Sequence, residues 1–419
     1  MLSKSIRAQV KPMQQTEASS LGVALANPDF VRVWLTGLCV GVMRWLEILA
    51  IGIYTLEATG SAFDVALMYF ARTVPTLIGG PIAGMLVERA NQKYIYTGGL
   101  LLMLALSLTL ATLSVNGALA LWHVAIGAVL AGFVWSLEHT VRRMIARDVV
   151  PPASIGKAIS FDTGSQNATR MLGPLAGGIL MAMLGLQGAY ILGAAFYASA
   201  VLFMLGISPT RRLTTGGALP FWQGLRLGFR YAWGQPLLAG VLAVTVVLNM
   251  FGFPYAAMVP VIGRDSLGLT AEVIGLLMSS EGLGAVLGAL VLAATVKRRL
   301  YAQLFAGGAF LFLAMMVVFA NAPSFLTASA SLLCAGIGLG LFAAMQSTIL
   351  LTVAEPAMRG RVMGMLVVTI GAGPFGVLML GALAEHTGAA DALFITSSVG
   401  IALLLLVFLR WPQLLRELR

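Results

Sequence analysis

Long apolar runs, each closed by a few polar residues, constrain this chain more than any other feature. A helix needs roughly 20 apolar residues to cross a bilayer core. Twelve such runs are predicted, near 30–55, 63–87, 94–113, 117–138, 157–184, 187–207, 235–261, 271–295, 300–320, 324–350, 361–384 and 390–410. The breaks carry turn chemistry, as in Ala58-Thr59-Gly60-Ser61, Asn116-Gly117, Pro151-Pro152 and Asn321-Ala322-Pro323. Only 10% of the residues are charged and 59% are hydrophobic, whereas a soluble domain carries about a quarter charged residues. Soluble, disordered and disulfide-scaffold folds are excluded by that balance. The chain reads as an all-α polytopic membrane protein.

Every Lys and Arg except Arg44, Arg72, Arg170 and Arg264 falls in the tails, in alternate loops or at helix ends on one side. That side is the cytoplasmic one by the positive-inside rule, so both termini are predicted there. The net charge of +10 therefore reports topology, and no nucleic-acid partner is expected. Residues 1–29 lack the apolar stretch and small-residue cleavage site of a signal peptide, so the first span is expected to act as an uncleaved insertion signal. Cys39 and Cys334 lie inside apolar runs, and His123, His139 and His386 are scattered. Neither a metal site nor any other cofactor is expected from them.

The longest interior loop divides the spans into two sets of six. The predicted organisation is a cytoplasmic tail over 1–29, a six-helix bundle over 30–207, a linker over 208–234, a second six-helix bundle over 235–410 and a tail over 411–419. Three echoes relate the halves at nearly one offset: Gly84-Met85-Leu86-Val87 with Gly288-Ala289-Leu290-Val291, Pro152 and Gly156-Lys157 with Pro356 and Gly360-Arg361, and Gly173-Pro174 with Gly373-Pro374. They argue for a parallel repeat with a cavity between its copies. In the linker, the stretch from Pro220 to Tyr231 mixes aromatics with Arg226 and Arg230, four apart, as in a helix lying on the inner leaflet.

Two motifs then bear on family. Gly84-Met85-Leu86-Val87-Glu88-Arg89-Ala90-Asn91-Gln92-Lys93 resembles the cytoplasmic loop G-x-L-a-D-R-x-G-R/K-R/K of the major facilitator superfamily. Glu88 stands for its Asp, Asn91 for its second Gly and Gln92 for a basic residue. Gly173-Pro174-Leu175-Ala176-Gly177-Gly178 is similar to the GP-x-x-GG end of that family's antiporter motif, with Ser160 and Thr169 in place of two upstream glycines. The wording of both segments most resembles the branch of enterobactin exporters and macrolide efflux proteins. The resemblance implies the twelve-helix fold, a place in the bacterial inner membrane, and no enzymatic activity. It also implies a conformational latch built from Gly84, Glu88, Arg89 and Lys93, with Glu88 docking near the start of span eleven and Arg142 or Arg143 as its cation. In physical terms, glycines such as Gly173, Gly177 and Gly178 let helices approach closely, and Pro174 can bend its helix.

Ionisable groups inside spans cost about 2.5–3.5 kcal/mol each on insertion scales unless shielded, and so mark function or pairing. Arg44 and Glu47 are three apart on one helix face and are expected to pair directly. At about 1.5 Å per residue, Glu47, Arg72, Arg170 and Glu281 fall at a similar depth, between the midplane and the outer side, with Asp162 nearer the cytoplasm. Glu47, Glu281 and Asp162 are candidates for proton coupling, since a buried acid can load and release a proton during a cycle. Arg44, Arg72, Arg170 and Asn249 are candidates for the substrate cavity. The competing reading makes Arg72 and Arg170 structural ion pairs, neutralised by Asp162 or a carbonyl, and Asn249 a helix–helix hydrogen bond. Glu138 and His139, at the inner end of span four, are expected to be solvated, and His123 to be interfacial.

Secondary active, proton-driven export of a small siderophore- or drug-like organic molecule is the leading expectation; no GxxxxGK[ST] loop points to ATP. The same fold could serve an uptake permease or a lysophospholipid flippase. An intramembrane enzyme would need HExxH, or GxSxG with a partner, and neither is seen; a non-transporting sensor would be expected to carry a soluble domain. The expected partners are a small-molecule substrate, protons and the lipid bilayer, with the chain acting as a monomer.

Overall fold

The computed structural model describes residues 19–77, 91–151, 154–208, 221–295, 297–356 and 358–417. The described residues form helices: α1 (Ser19–Ala26), α2 (Pro28–Thr59), α3 (Ala62–Thr73), α4 (Gln92–Val115), α5 (Leu121–Val149), α6 (Ile155–Leu205), α7 (Phe221–Gly234), α8 (Pro236–Val247), α9 (Tyr255–Val261), α10 (Ala271–Thr295), α11 (Tyr301–Ala320), α12 (Phe325–Val353), α13 (Arg359–Ile370), α14 (Gly373–Thr387) and α15 (Ala389–Arg410). Among them, ten segments are long and apolar enough to cross a membrane. Large apolar side chains at Leu202, Leu326 and Leu409 point outward, more than two-thirds exposed, which only a hydrocarbon surround makes favourable.

Local chemistry sets the helix ends. The Asn27 side chain accepts from Asp29 N at 2.9 Å and Pro28 opens α2, while Gly60 closes it at φ 66°. Ser61 caps α3 and Asn91 caps α4, each through a side-chain oxygen. Spans five and six run together as α6, whose 51 residues would reach about 75 Å, more than twice a bilayer core. Gly185, at φ 61° and ψ −159°, breaks it into two crossings, and only a residue without Cβ adopts that conformation cheaply. Span seven is likewise interrupted, by π-helical turns at Leu248–Gly252 and Ile262–Ser266. Span eleven is split into α13 and α14 at Gly371 and Ala372, with Pro374 in the first turn of α14. The linker stretch from Pro220 to Tyr231 contains the start of α7, whose Gly228 rests on Arg361.

The two Gly-Pro segments each bring a glycine hard against a neighbouring helix, though not at the same position: a Cβ on Gly373, the echo of Gly173, would meet only Asn249 at an ordinary 3.5 Å. A Cβ on Gly173 would lie 2.6 Å from Trp45 Cβ, so α6 lies directly against α2; Gly376, two residues after Pro374, lies as tightly against Met250 of span seven. Each of these helices also meets the opposite half, Gly178 of α6 against Gly275 of α10 and Gly381 of α14 against Ala66 of α3. Polar contacts between halves, seen among the described residues, cluster from the middle of α10 to the end that carries the α2–α3 turn. Arg264 pairs with Glu57 at 2.7 Å, Ser61 Oγ donates to Glu385 Oε2 at 3.0 Å, and Ser279 Oγ donates to Met171 O at 2.7 Å. These contacts hold the two halves together from the middle of α10 to the α2–α3 turn.

Candidate functional site

The buried charges assemble into three groups. In the first, Arg72 Nη1 lies 2.9 Å from Glu47 Oε2, and Tyr197 donates its hydroxyl to Glu47 Oε1 at 3.0 Å. This corrects the expectation that Arg44 holds Glu47. Helical spacing puts Arg44 and Glu47 near one face, but Arg72 of α3 reaches the carboxylate first. In the second, Arg142 bridges Glu138 and Asp162, and Tyr96 donates to Glu138 Oε1 at 3.1 Å. Glu138 is thus buried, at 4% exposure, and not solvated as its place near the helix end suggested. Nor does Asp162 neutralise Arg72 or Arg170. In the third, Arg170 Nη2 of α6 contacts Glu281 Oε1 of α10 at 2.8 Å, with Tyr255 of α9 beside them. The first two groups are internal to the N-terminal half; the third joins the halves.

Arg44 has no carboxylate among the described residues. Its guanidinium lies 3.8 Å over the ring of Trp135 and 5.0 Å from that of Trp45, whose ring also carries the Arg170 guanidinium at 4.5 Å. Such stacking compensates part of the cost of a buried cation. These four side chains line a central cavity of about 320 Å³. The opposite wall is Asn249, Phe253, Phe342 and Gln346. The same four also line a second cavity of about 230 Å³, which reaches toward Glu138, Arg142 and the exposed Arg143. The C-terminal wall is fixed without charge: Gln346 Nε2 donates to Thr245 Oγ1 at 2.7 Å, and Asn249 Nδ2 donates to Thr245 O within its own helix. Asn249 is therefore not a helix–helix bond, and it borders the cavity.

Of the latch residues, Gly84, Glu88 and Arg89 lie outside the described residues. Arg142 is committed to two buried carboxylates, so it is not a spare cation for Glu88. Lys93 Nζ donates to Leu205 O and Ile207 O at the end of α6, tying α4 to its own half. His123 Nδ1 accepts from Ala120 N at 3.0 Å and caps α5; the side chain of His139 lies outside the description.

Sequence reasoning missed Trp45, Trp135, Tyr96, Tyr197 and Gln346. The tyrosines had a usable signal: a hydroxyl in an apolar span needs a polar partner, and buried acids were the partners on offer. The tryptophans had none, since stacking depends on which helix faces meet.

Residues 33–375 match the sequence profile of the Major Facilitator Superfamily. Among curated proteins, the chain is 28% identical over 407 residues to "Multidrug efflux pump Tap" of Mycolicibacterium fortuitum, covering 92% of this chain and 96% of that protein. It is 22% identical to the "Staphyloferrin A transporter" of Staphylococcus aureus, covering 61% of this chain and 64% of that one. Among solved structures, a mutant of nucleoside transporter NupG superposes with a TM-score of 0.77 at 13% identity, over 91% of this chain and all of that one. A D-xylose-proton symporter gives 0.70 at 15% identity, over 92% and 98%.

Proposed function

Because the chain belongs to the Major Facilitator Superfamily, and so is a multi-pass cell-membrane transporter and no enzyme, we propose that it is a proton-driven exporter of a small organic molecule. The molecule enters the central cavity from the cytoplasmic side, the halves rock about it, and protons returning inward supply the drive. The observation that carries this reading is the Arg170–Glu281 pair. It links α6 to α10 across the two halves, and Glu281 is only 4% exposed. Opening the outer side pulls α6 from α10 and parts the two charges. A carboxylate left without its cation in a low-dielectric site takes up a proton, so protonation of Glu281 and separation of the halves favour one another. Glu47 and Asp162, whose cations stay within their own half, keep their partners as the halves move, and they rank below Glu281 for coupling.

Export as the direction is supported by similarity along nearly the whole chain to a protein named as an efflux pump. Proteoliposomes loaded with a pH-sensitive dye test the reading. Substrate added on the cytoplasmic face should dissipate an imposed pH gradient in the full-length chain, and Glu281→Gln should abolish that response. Substrate movement that ignores the gradient in the unaltered protein would sink it.

A further inference from the structure

The central cavity has an unusual balance of recognition groups. Among the described residues lining it, the ionisable side chains are Arg44, Arg170 and the two tyrosines Tyr69 and Tyr255; no carboxylate lines it. Arg170 has its counter-ion in Glu281, which stands behind it toward α10 and not on the cavity wall. Even so, Nε of Arg170 is buried without a hydrogen-bond partner among the described residues. Arg44 has stacking partners but no carboxylate. Glu47 is held by Arg72, and Glu138 and Asp162 by Arg142, so the nearby acids are already engaged.

The aromatic residues bear on the same point. A cationic drug is recognised by bare aromatic faces or by an acid. Here the Trp45 ring is covered by guanidinium groups at 4.5 and 5.0 Å, and the Trp135 ring by Arg44 at 3.8 Å; the Phe253 and Phe342 faces lie on the opposite wall, with no acid among the described lining residues to join them in holding a cation. A cation entering beside them meets two like charges. An anion meets two guanidinium forks, the residue type best suited to planar oxyanions. The far wall, with Phe253 and Phe342 flanking Asn249 and Gln346, offers apolar area and amide hydrogen bonds to the rest of the molecule. A volume of about 320 Å³ is at the lower end of the usual range for small-molecule sites, roughly 300–1,000 Å³.

We propose that the transported molecule is a small organic anion carrying an aromatic or similarly flat apolar body, its carboxylate or other oxyanion held by Arg44 with Arg170 as second donor. The flat body lies against Phe253 and Phe342. This substrate class rests on the transport reading above, but the two fail separately.

The test uses the full chain in detergent and three probes of one shape: 2-naphthoate, 2-naphthamide and 2-naphthylmethylammonium, with binding followed by tryptophan quenching and confirmed by calorimetry. The anion should bind about tenfold more tightly than the amide, the size of one charge-assisted hydrogen bond, and the ammonium should bind most weakly. Arg44→Gln should level naphthoate with naphthamide, and Arg44→Lys should restore part of the gap. Equal binding of all three probes by the unaltered chain, or preference for the ammonium, overturns the proposal without any variant being needed. A preference that persists in Arg44→Gln overturns the assignment to Arg44. Flux in proteoliposomes then separates the two ideas. Anion-selective binding with no gradient-driven movement refutes the exporter reading alone, and gradient-driven movement of the ammonium in preference to the naphthoate refutes the anion class alone.

Discussion

The two halves share a repeat but not a chemistry. The N-terminal half encloses Arg44, Arg72, Arg142 and Arg170 with Glu47, Glu138 and Asp162 inside its helices, whereas among the described residues of the C-terminal half the buried charge is Glu281, and its partner comes from the other half. In place of ion pairs, the C-terminal half is packed around Phe305, Phe312 and Phe319, fully buried along α11, with Phe342 stacked on Phe305. Lipid supplies no hydrophobic drive between helices, so each half needs another source of specificity. Paired charges supply it in one half, and close aromatic and glycine packing supplies it in the other. A substrate cavity between them is then charged on one wall and apolar on the other.

Replacing groups on each side tests that contrast. The largest effect belongs to the buried charge that, among the described residues, pairs across the halves: Glu281→Gln is expected to abolish gradient-driven flux while leaving substrate exchange in place, and a variant that still pumps uphill would remove Glu281 from the coupling role. Next comes Arg142→Met, which strands Glu138 and Asp162 and is expected to cost about 3–5 kcal/mol, as when one partner of a buried pair is removed; thermal unfolding in detergent reads it as a fall in Tm. The Arg72→Met and Glu47→Met single variants should each lose a similar amount, while the double variant recovers most of it, because two buried charges are removed together. Strictly additive losses would show that the pair does not interact. On the uncharged side, Gln346→Leu breaks the hydrogen bond to Thr245 and should cost only about 0.6 kcal/mol, the average for such bonds in a membrane protein. A loss as large as that of Arg142→Met would erase the distinction between the halves. The smallest change is expected at the outer rim. Glu57 and Arg264 are nearly half exposed, and removal of an exposed pair moves stability by about 0–1 kcal/mol.

The predicted runs and the described helices agree over much of the chain because a bilayer imposes one rule on every residue that crosses it: backbone groups must bond within the segment. Glu47, Arg72, Arg170 and Glu281 were placed at one depth by rise per residue alone, and they are found in contact in two pairs. Their partners were not legible. Arg44 is three residues from Glu47 and was the natural choice, but Arg72 holds that acid from another helix. Glu138 was read as solvated from its nearness to a helix end, yet Tyr96, Arg142 and Asp162 close around it.

Sequence by itself determined the membrane-spanning helical class and the family resemblance carried by the Gly-Pro and loop motifs. Each depends on composition or spacing along one chain. Tertiary structure decided which charge meets which, that Arg44 lies against tryptophans instead of an acid, and that Glu281 binds across the halves. Those outcomes depend on the rotation of each helix about its axis and on its neighbours. An apolar span records that it must be buried in lipid or protein, but a single residue's spacing does not record which other helix will face it.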